Sequence, residues 1–154
     1  AYRHDAERTQ TESAQLRWNA RITRALDEQR FCLHYQGVHH VDGSVSHYEA
    51  LLRLPAESDD GVMLPPGDFV PYAERSGRIR PIDRWVLAEC IRTLAASPDA
   101  VRVAANVSAR SLDDRTLADH VGELLQRLQT GVPVDAARQR HDRREHGKQR
   151  DGAD

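Results

Sequence analysis

Two stretches of this sequence carry side chains suited to ligating cations and binding anions. Glu49 and Arg53 lie four residues apart in a run, Val45 to Leu54, that reads as a β-strand, so their side chains share one face. Asn106 stands in a second strand-like run, Val101 to Ser108, and Gln36 in a third, earlier one. A carboxylate and a carboxamide are suitable ligands for hard cations such as Mg2+ or Mn2+, which take oxygen donors. Such cations generate a nucleophile from water and neutralise phosphate charge in phosphodiester cleavage, and a guanidinium can engage the phosphate itself. Taken one at a time, these residues have plainer readings. A strand-end Arg or Gln is commonly solvated, Glu49 reads equally as a surface carboxylate, and an Asn at a strand end commonly bonds its own backbone.

These residues need elements to hold them. The spacing of Trp18, Ile22, Ala25 and Leu26 predicts an amphipathic helix ending near Gln29 or Arg30. Phe31, Leu33 and Tyr35 then alternate with Cys32, His34 and Gln36 as a strand does, and Asp42 and Gly43 turn the chain into the Val45 to Leu54 strand. The two are expected to pair as a hairpin whose loop exceeds two residues. After a loop from Pro55 through Gly61, the residues Pro65, Pro66, Gly67 and Asp68 start a short helix, Phe69 to Ser76, with Asp68 as N-cap and Gly77 closing it. Pro81, at a first-turn position, opens a longer and mostly apolar helix containing Ile82, Val86 and Cys90.

Pro98 and Asp99 turn the chain into the Val101 to Ser108 strand, with Val101, Val103, Ala105 and Val107 on one face and Ala104 and Asn106 on the other. Ser111 and Asp114 form a capping-box pattern ahead of a helix with the stripe Leu117, Val121, Leu124, Leu125 and Leu128, ending at Gly131. Strands alternating with helices predict an α/β fold with a largely parallel sheet, and about three strands are too few to close a barrel.

Length and composition set bounds on function. The 154 residues are 39% hydrophobic, enough for one modest core but short of the roughly 200 to 250 residues of a closed α/β barrel. Lys and Arg (22) nearly balance Asp and Glu (24), which argues against a general nucleic-acid or acidic-membrane binder. Cys32 and Cys90 sit in apolar segments and read as free, buried thiols in a reducing, cytoplasmic compartment. No charged-then-apolar leader opens the sequence, and no apolar run approaches the roughly 18 residues of a membrane span.

Residues 1–16 are polar without an apolar period and read as a linker with little core. Residues 134–154 read as a tail: from Asp135 onward there is no Leu, Ile, Val or Phe, as in a disordered segment or one translated out of frame. Its Arg138, Arg140, Arg143, Arg144, Lys148 and Arg150 raise the idea of a nucleic-acid arm, but Asp142 and Glu145 interrupt the charge and no aromatic is present to stack on a base. His34, His39, His40 and His47 crowd the hairpin, yet no Cys or carboxylate completes a transition-metal ligand set, so solvated histidines are expected.

The run His47-Tyr48-Glu49-Ala50-Leu51-Leu52-Arg53 contains a Glu-Ala-Leu signature followed by Leu-Arg, and so resembles the EAL phosphodiesterases. Phe31 to Val38 is similar to that family's first strand with its Tyr-Gln pair, and Leu64 to Gly77 to its Pro-x-x-Phe-(Val/Ile)-Pro-x-Ala-Glu-x-Ser-Gly segment. Ile82 to Leu87 and Asn106 to Ser108 agree as well. Five blocks in the right order, from about Trp18 to Pro133, place a truncated EAL domain at residues 17–133. Residues 1–16 resemble the linker that follows a GGDEF domain.

The resemblance implies an incomplete TIM-type (β/α) barrel and metal-dependent hydrolysis of cyclic di-GMP to linear pGpG. It implies that Glu49 and Asn106 ligate Mg2+ or Mn2+ at the C-terminal rim of the barrel, and that Gln36, Leu52 and Arg53 contact the dinucleotide. An upstream GGDEF or sensor domain is the implied partner. Two positions depart from the pattern: Gly37 stands where the family usually has Pro, and Leu54 where an aromatic is frequent. The family's later metal-binding Glu, paired Asp residues, water-activating Lys and further Glu lie on strands this sequence lacks. The expectation is therefore a fragment without turnover, or alternatively a non-catalytic dinucleotide-binding or interaction module. An unpaired third strand predicts homodimers or strand exchange between copies.

Overall fold

The computed structural model describes residues 2–58, 61–97 and 100–130. In chain order the elements are α1 (Tyr2–Asp27), β1 (Cys32–His39), β2 (Val45–Pro55), β3 (Met63–Leu64), α2 (Pro66–Arg75), α3 (Ile79–Ala96), β4 (Val103–Ala105), α4 (Ala109–Leu112) and α5 (Arg115–Thr130). The expected tail and the Pro98–Asp99 turn lie outside the described residues.

β2 is the organising strand. It pairs antiparallel with β1, in a register that sets Gln36 opposite Glu49 and Cys32 opposite Arg53. It also pairs in parallel with β4, where Glu49 is partnered by Ala104. The hairpin between β1 and β2 is thus as expected, with Asp42 ordering the turn by accepting the Ser44 N–H at 2.9 Å. One strand was not expected: the two-residue β3 pairs antiparallel with the end of β2. Two residues carry too little alternation to register as a strand in sequence.

One face of this sheet is covered. Ala50 and Leu54 of β2 are buried with Phe31, with Ile22 and Ala25 of α1, with Phe69 and Ala73 of α2, and with Ile79, Ile82, Val86 and Cys90 of α3. Leu33, Leu52, Val103 and Ala105 pack on the edge of this cluster. Aromatic rings link the layers: Phe31 lies 5.8 Å from Phe69 and 5.9 Å from Trp85, and Trp18 stacks on Tyr72 at 5.5 Å. Fully burying a side chain such as Phe69 or Ile22 contributes about 1.5–3 kcal/mol each. α5 joins through Leu117 and Leu124, which are buried, and through the Arg84–Asp114 ion pair at 2.9 Å.

Several local expectations are corrected. The stretch that reads as a linker is helical, since α1 runs unbroken from Tyr2. No Gly or Pro occurs before Gly37, and Ala, Glu, Gln and Arg favour helix without any apolar period. Gln15 then docks it, donating to the Tyr72 carbonyl at 3.0 Å and accepting from Arg75 Nε at 2.9 Å. α1 ends in a Schellman turn: Gln29 takes a left-handed φ of 55° and the Arg30 N–H reaches the Ala25 carbonyl at 2.8 Å.

Asp68 does not cap α2. Pro65 holds that position and Pro66, which has no N–H to satisfy, starts the helix three residues early. α3 begins at Ile79, leaving Pro81 third in its first turn. β4 shrinks to three residues because only Tyr48 to Ala50 offers it a parallel partner. The expected alternation survives beyond it, with Val101, Val103, Ala105 and Val107 half-buried and Arg102, Ala104 and Asn106 exposed. Ser111 does not cap α5: its hydroxyl goes to Asp83, and Asp114 takes the N–H of Thr116 at 3.0 Å instead. Cys90 is buried, whereas Cys32 is half-buried, and both are free.

Candidate functional site

The sheet's other face carries the polar residues. Because side chains alternate along a strand and cross-strand partners share a face, Gln36, Glu49, Arg53, Ala104 and Asn106 all project away from the buried cluster. Asn106 Nδ2 donates to Glu49 Oε1 at 2.6 Å. Gln36 is exposed on β1, directly opposite Glu49. Arg53 follows four residues later on β2, roughly 13 Å along the strand at ordinary rise.

Arg53 is half-buried and its Nη1 donates to the Leu52 carbonyl at 2.8 Å. No carboxylate pairs with it among the described residues, so its remaining donors are open to an anion. Across the hairpin, the Cys32 thiol is pushed up by burial, which outweighs the opposing pull of the Arg53 charge. Cys32 is therefore a neutral neighbour of Arg53.

Leu52 is placed elsewhere. It sits one residue out of phase with Glu49 and Arg53, on the covered face, packed against the core. The structure thus groups Gln36, Glu49, Arg53 and Asn106 and leaves the Leu52 side chain on the far side of the sheet.

A carboxylate and a carboxamide in contact at 2.6 Å, with Asn106 open to solvent, are a donor set of the right kind for a hard cation. Asn106 now offers its nitrogen to Glu49; the carboxamide oxygen is the atom a cation would take. Two donors fall short of the six oxygens Mg2+ requires, so water and further ligands must complete the shell. Among the described residues no three His, Cys, Asp or Glu side chains converge on one point, and the hairpin histidines do not form a ligand cluster. Nor is any helix among them long and apolar enough to cross a membrane.

Behind Asn106 lies a polar knot that sequence reasoning missed. Asp83 of α3, 4% exposed, accepts the Ser108 N–H at 3.0 Å and the Ser111 hydroxyl at 2.6 Å on the same oxygen. The Ser108 hydroxyl donates to Glu74 Oε1 of α2 at 2.8 Å. Burial raises the Asp83 pKa, the two hydrogen bonds oppose that, and the Glu74 charge adds to the rise. The available signal was an Asp at helical spacing with Ile79, Ile82, Val86 and Cys90, on the face of α3 that is otherwise apolar.

The EAL domain family model matches residues 19–134. Over 110 residues the chain is 38% identical to the cyclic di-GMP phosphodiesterase PdeR of Escherichia coli (strain K12), covering 70% of this chain and 16% of that protein. The EAL domain of FimX from Pseudomonas aeruginosa, described as bound to c-di-GMP, superposes with a TM-score of 0.64 at 32% identity, covering 73% of this chain and 45% of that one. The FimX EAL domain of Xanthomonas citri, in complex with c-diGMP, gives 0.65 at 31% identity, covering 81% and 48%. The chain thus spans less than half of those solved chains and a small part of PdeR. Its sheet and flanking helices are accordingly part of a TIM-like barrel, and the chain belongs to the EAL-domain family, that of the cyclic di-GMP phosphodiesterases.

Proposed function

We propose that this chain supplies one wall of a cyclic di-GMP site, with Glu49 and Asn106 as cation ligands and Gln36 and Arg53 as contacts to the dinucleotide. The observation that carries the reading is the Glu49–Asn106 contact on the open face of the sheet. Mg2+ or Mn2+, when bound, supplies an activated water and neutralises phosphate charge. Glu49 would hold such a cation by its negative charge and Asn106 by its carboxamide oxygen. Arg53, whose outer donors are uncommitted, would clamp a phosphate or a guanine edge. Leu52 would act by packing β2 against the core, and not by touching ligand.

Two oxygen donors do not hold a binuclear pair, so this chain on its own is expected to bind without turning over. Incubation with cyclic di-GMP and Mg2+ or Mn2+ should yield no pGpG, while calorimetry should register dinucleotide binding that Arg53→Ala weakens. Formation of pGpG would overturn the binding-only part of this reading, and absence of any binding would overturn all of it.

A cytoplasmic location and an upstream GGDEF or sensor domain, reached through α1, complete the proposal, with residues 1–16 as the connection, 17–133 as the truncated domain and 134–154 as a tail. Among the described strands β1 and β4 pair only with β2. Their outer edges are where two copies would pair or exchange strands.

A further inference from the structure

Asn106 sits at an exposed position just beyond a strand of three residues, and that strand alone is a weak support. Two residues later the chain is held far more firmly. Ser108 is the N-cap of α4, its N–H bound to Asp83 of α3 and its hydroxyl to Glu74 of α2. Ser111, 1% exposed, adds a second bond to the same Asp83 oxygen. Asp83 and Ser111 are the buried polar side chains among the described residues.

A buried carboxylate is costly and contributes less to stability than a well-packed apolar side chain of its size. Its presence makes sense where it fixes a geometry that apolar packing leaves loose. The segment it fixes begins within about 7 Å of chain from Asn106. We infer that Asp83 is a positioning residue for Asn106, acting through Ser108 and Ser111 to hold the carboxamide against Glu49. The inference shares the proposed cation role of Asn106 only in its binding arm; the geometric arm stands without it.

The test uses the full chain. The side-chain NH2 resonances of Asn106 report its environment by NMR, and Mn2+ affinity is read by electron paramagnetic resonance. Asp83→Ala and Ser111→Ala should move the Asn106 resonances and weaken Mn2+ binding roughly tenfold or more, as loss of a ligand's supporting partner does. Asp83→Asn keeps an oxygen acceptor and should restore both. Leu117→Ala, a destabilising change in α5, should lower Tm and leave both readouts unchanged.

Unmoved Asn106 resonances in a folded Asp83→Ala or Ser111→Ala protein would overturn the inference, as would equal losses in Leu117→Ala. Should Asp83→Ala fail to fold, Ser111→Ala decides. Should the wild type bind no Mn2+, the cation reading fails by itself, and the Asn106 resonances decide the positioning role.

Discussion

Glu49 Oε1 and Asn106 Nδ2 meet at 2.6 Å across 57 residues of sequence. The parallel register that pairs Glu49 with Ala104 puts Asn106, two residues on and just past β4, on the same face. Neither side chain needs the other for the fold, since the covered face of the sheet is supplied by their neighbours Ala50 and Ala105. The contact is therefore a property of the open face, where a ligand can exploit it.

Removing either partner should weaken cation binding. Glu49→Gln keeps the shape and loses the charge, Asn106→Ala loses the oxygen, and each is expected to reduce Mn2+ affinity by at least about tenfold, the minimum seen even for supporting partners. Tm should change little for both. Paramagnetic resonance titration of Mn2+ checks the first expectation and a thermal melt the second; wild-type affinity in both variants would remove these residues from the site.

Arg53 and Leu52 are adjacent in sequence but should behave oppositely. Arg53→Ala is expected to cost about 1.5–3 kcal/mol of cyclic di-GMP affinity, the worth of a charge-assisted hydrogen bond, and Arg53→Lys to recover only part, because an ammonium lacks the planar fork. Leu52→Ala should instead lower stability by about 2 kcal/mol, the low end for a residue that is partly buried. Calorimetry and denaturant melts on the three variants separate affinity from stability.

Phe69 is fully buried and touches both Phe31 and Trp18. Phe69→Ala should destabilise by about 3–5 kcal/mol. In a domain this small that loss is a large share of the total, so urea denaturation should show a sharply lowered midpoint or an unfolded chain. A midpoint equal to wild type would mean that the aromatic cluster is not where the layers are joined.

Acid should act through Asp114. Hydrogen bonds from Thr116 and then from Arg84 hold its carboxyl down to about 2, against an ordinary 3.8. A folded value below the unfolded one means the contribution is present above the unfolded pKa and disappears as pH falls through the folded one. Tm should therefore decline between about pH 5 and pH 2, and Asp114→Asn should flatten that decline. Asp83 works in the other direction. Burial raises its pKa, so its contribution is complete below the unfolded value and lost as pH climbs through the folded one, and Asp83→Asn should remove that loss.

Much of this was written plainly in the sequence, and what was hidden has physical causes. The Trp18, Ile22, Ala25, Leu26 stripe and the alternation around Tyr35 reported burial, and burial is what packing selects. The first turns of α1 carry no such stripe, so a helix sustained by composition was not legible there. β3 is too short to show a period. The face that Leu52 occupies was not legible from the motif, because a motif names residues in a row, whereas a strand sends consecutive ones to opposite faces. The Asp83 knot joins α3 to the segment after β4, and nothing local to Asp83 announces which distant serines it will meet.

β2 depends on partners that come into existence at different times. The β1–β2 pairing closes over a short turn and can zip within about 1–10 μs. At roughly 5–20 residues per second on a ribosome, the codon for Asn106 is translated about 3–11 s after that for Glu49. For that interval the stretch of β2 from Tyr48 to Ala50 lacks its β4 partner. A nascent chain from a neighbouring ribosome could add its own strand there, so the place that later receives β4 is also where this chain is most exposed to mispairing while it is being made.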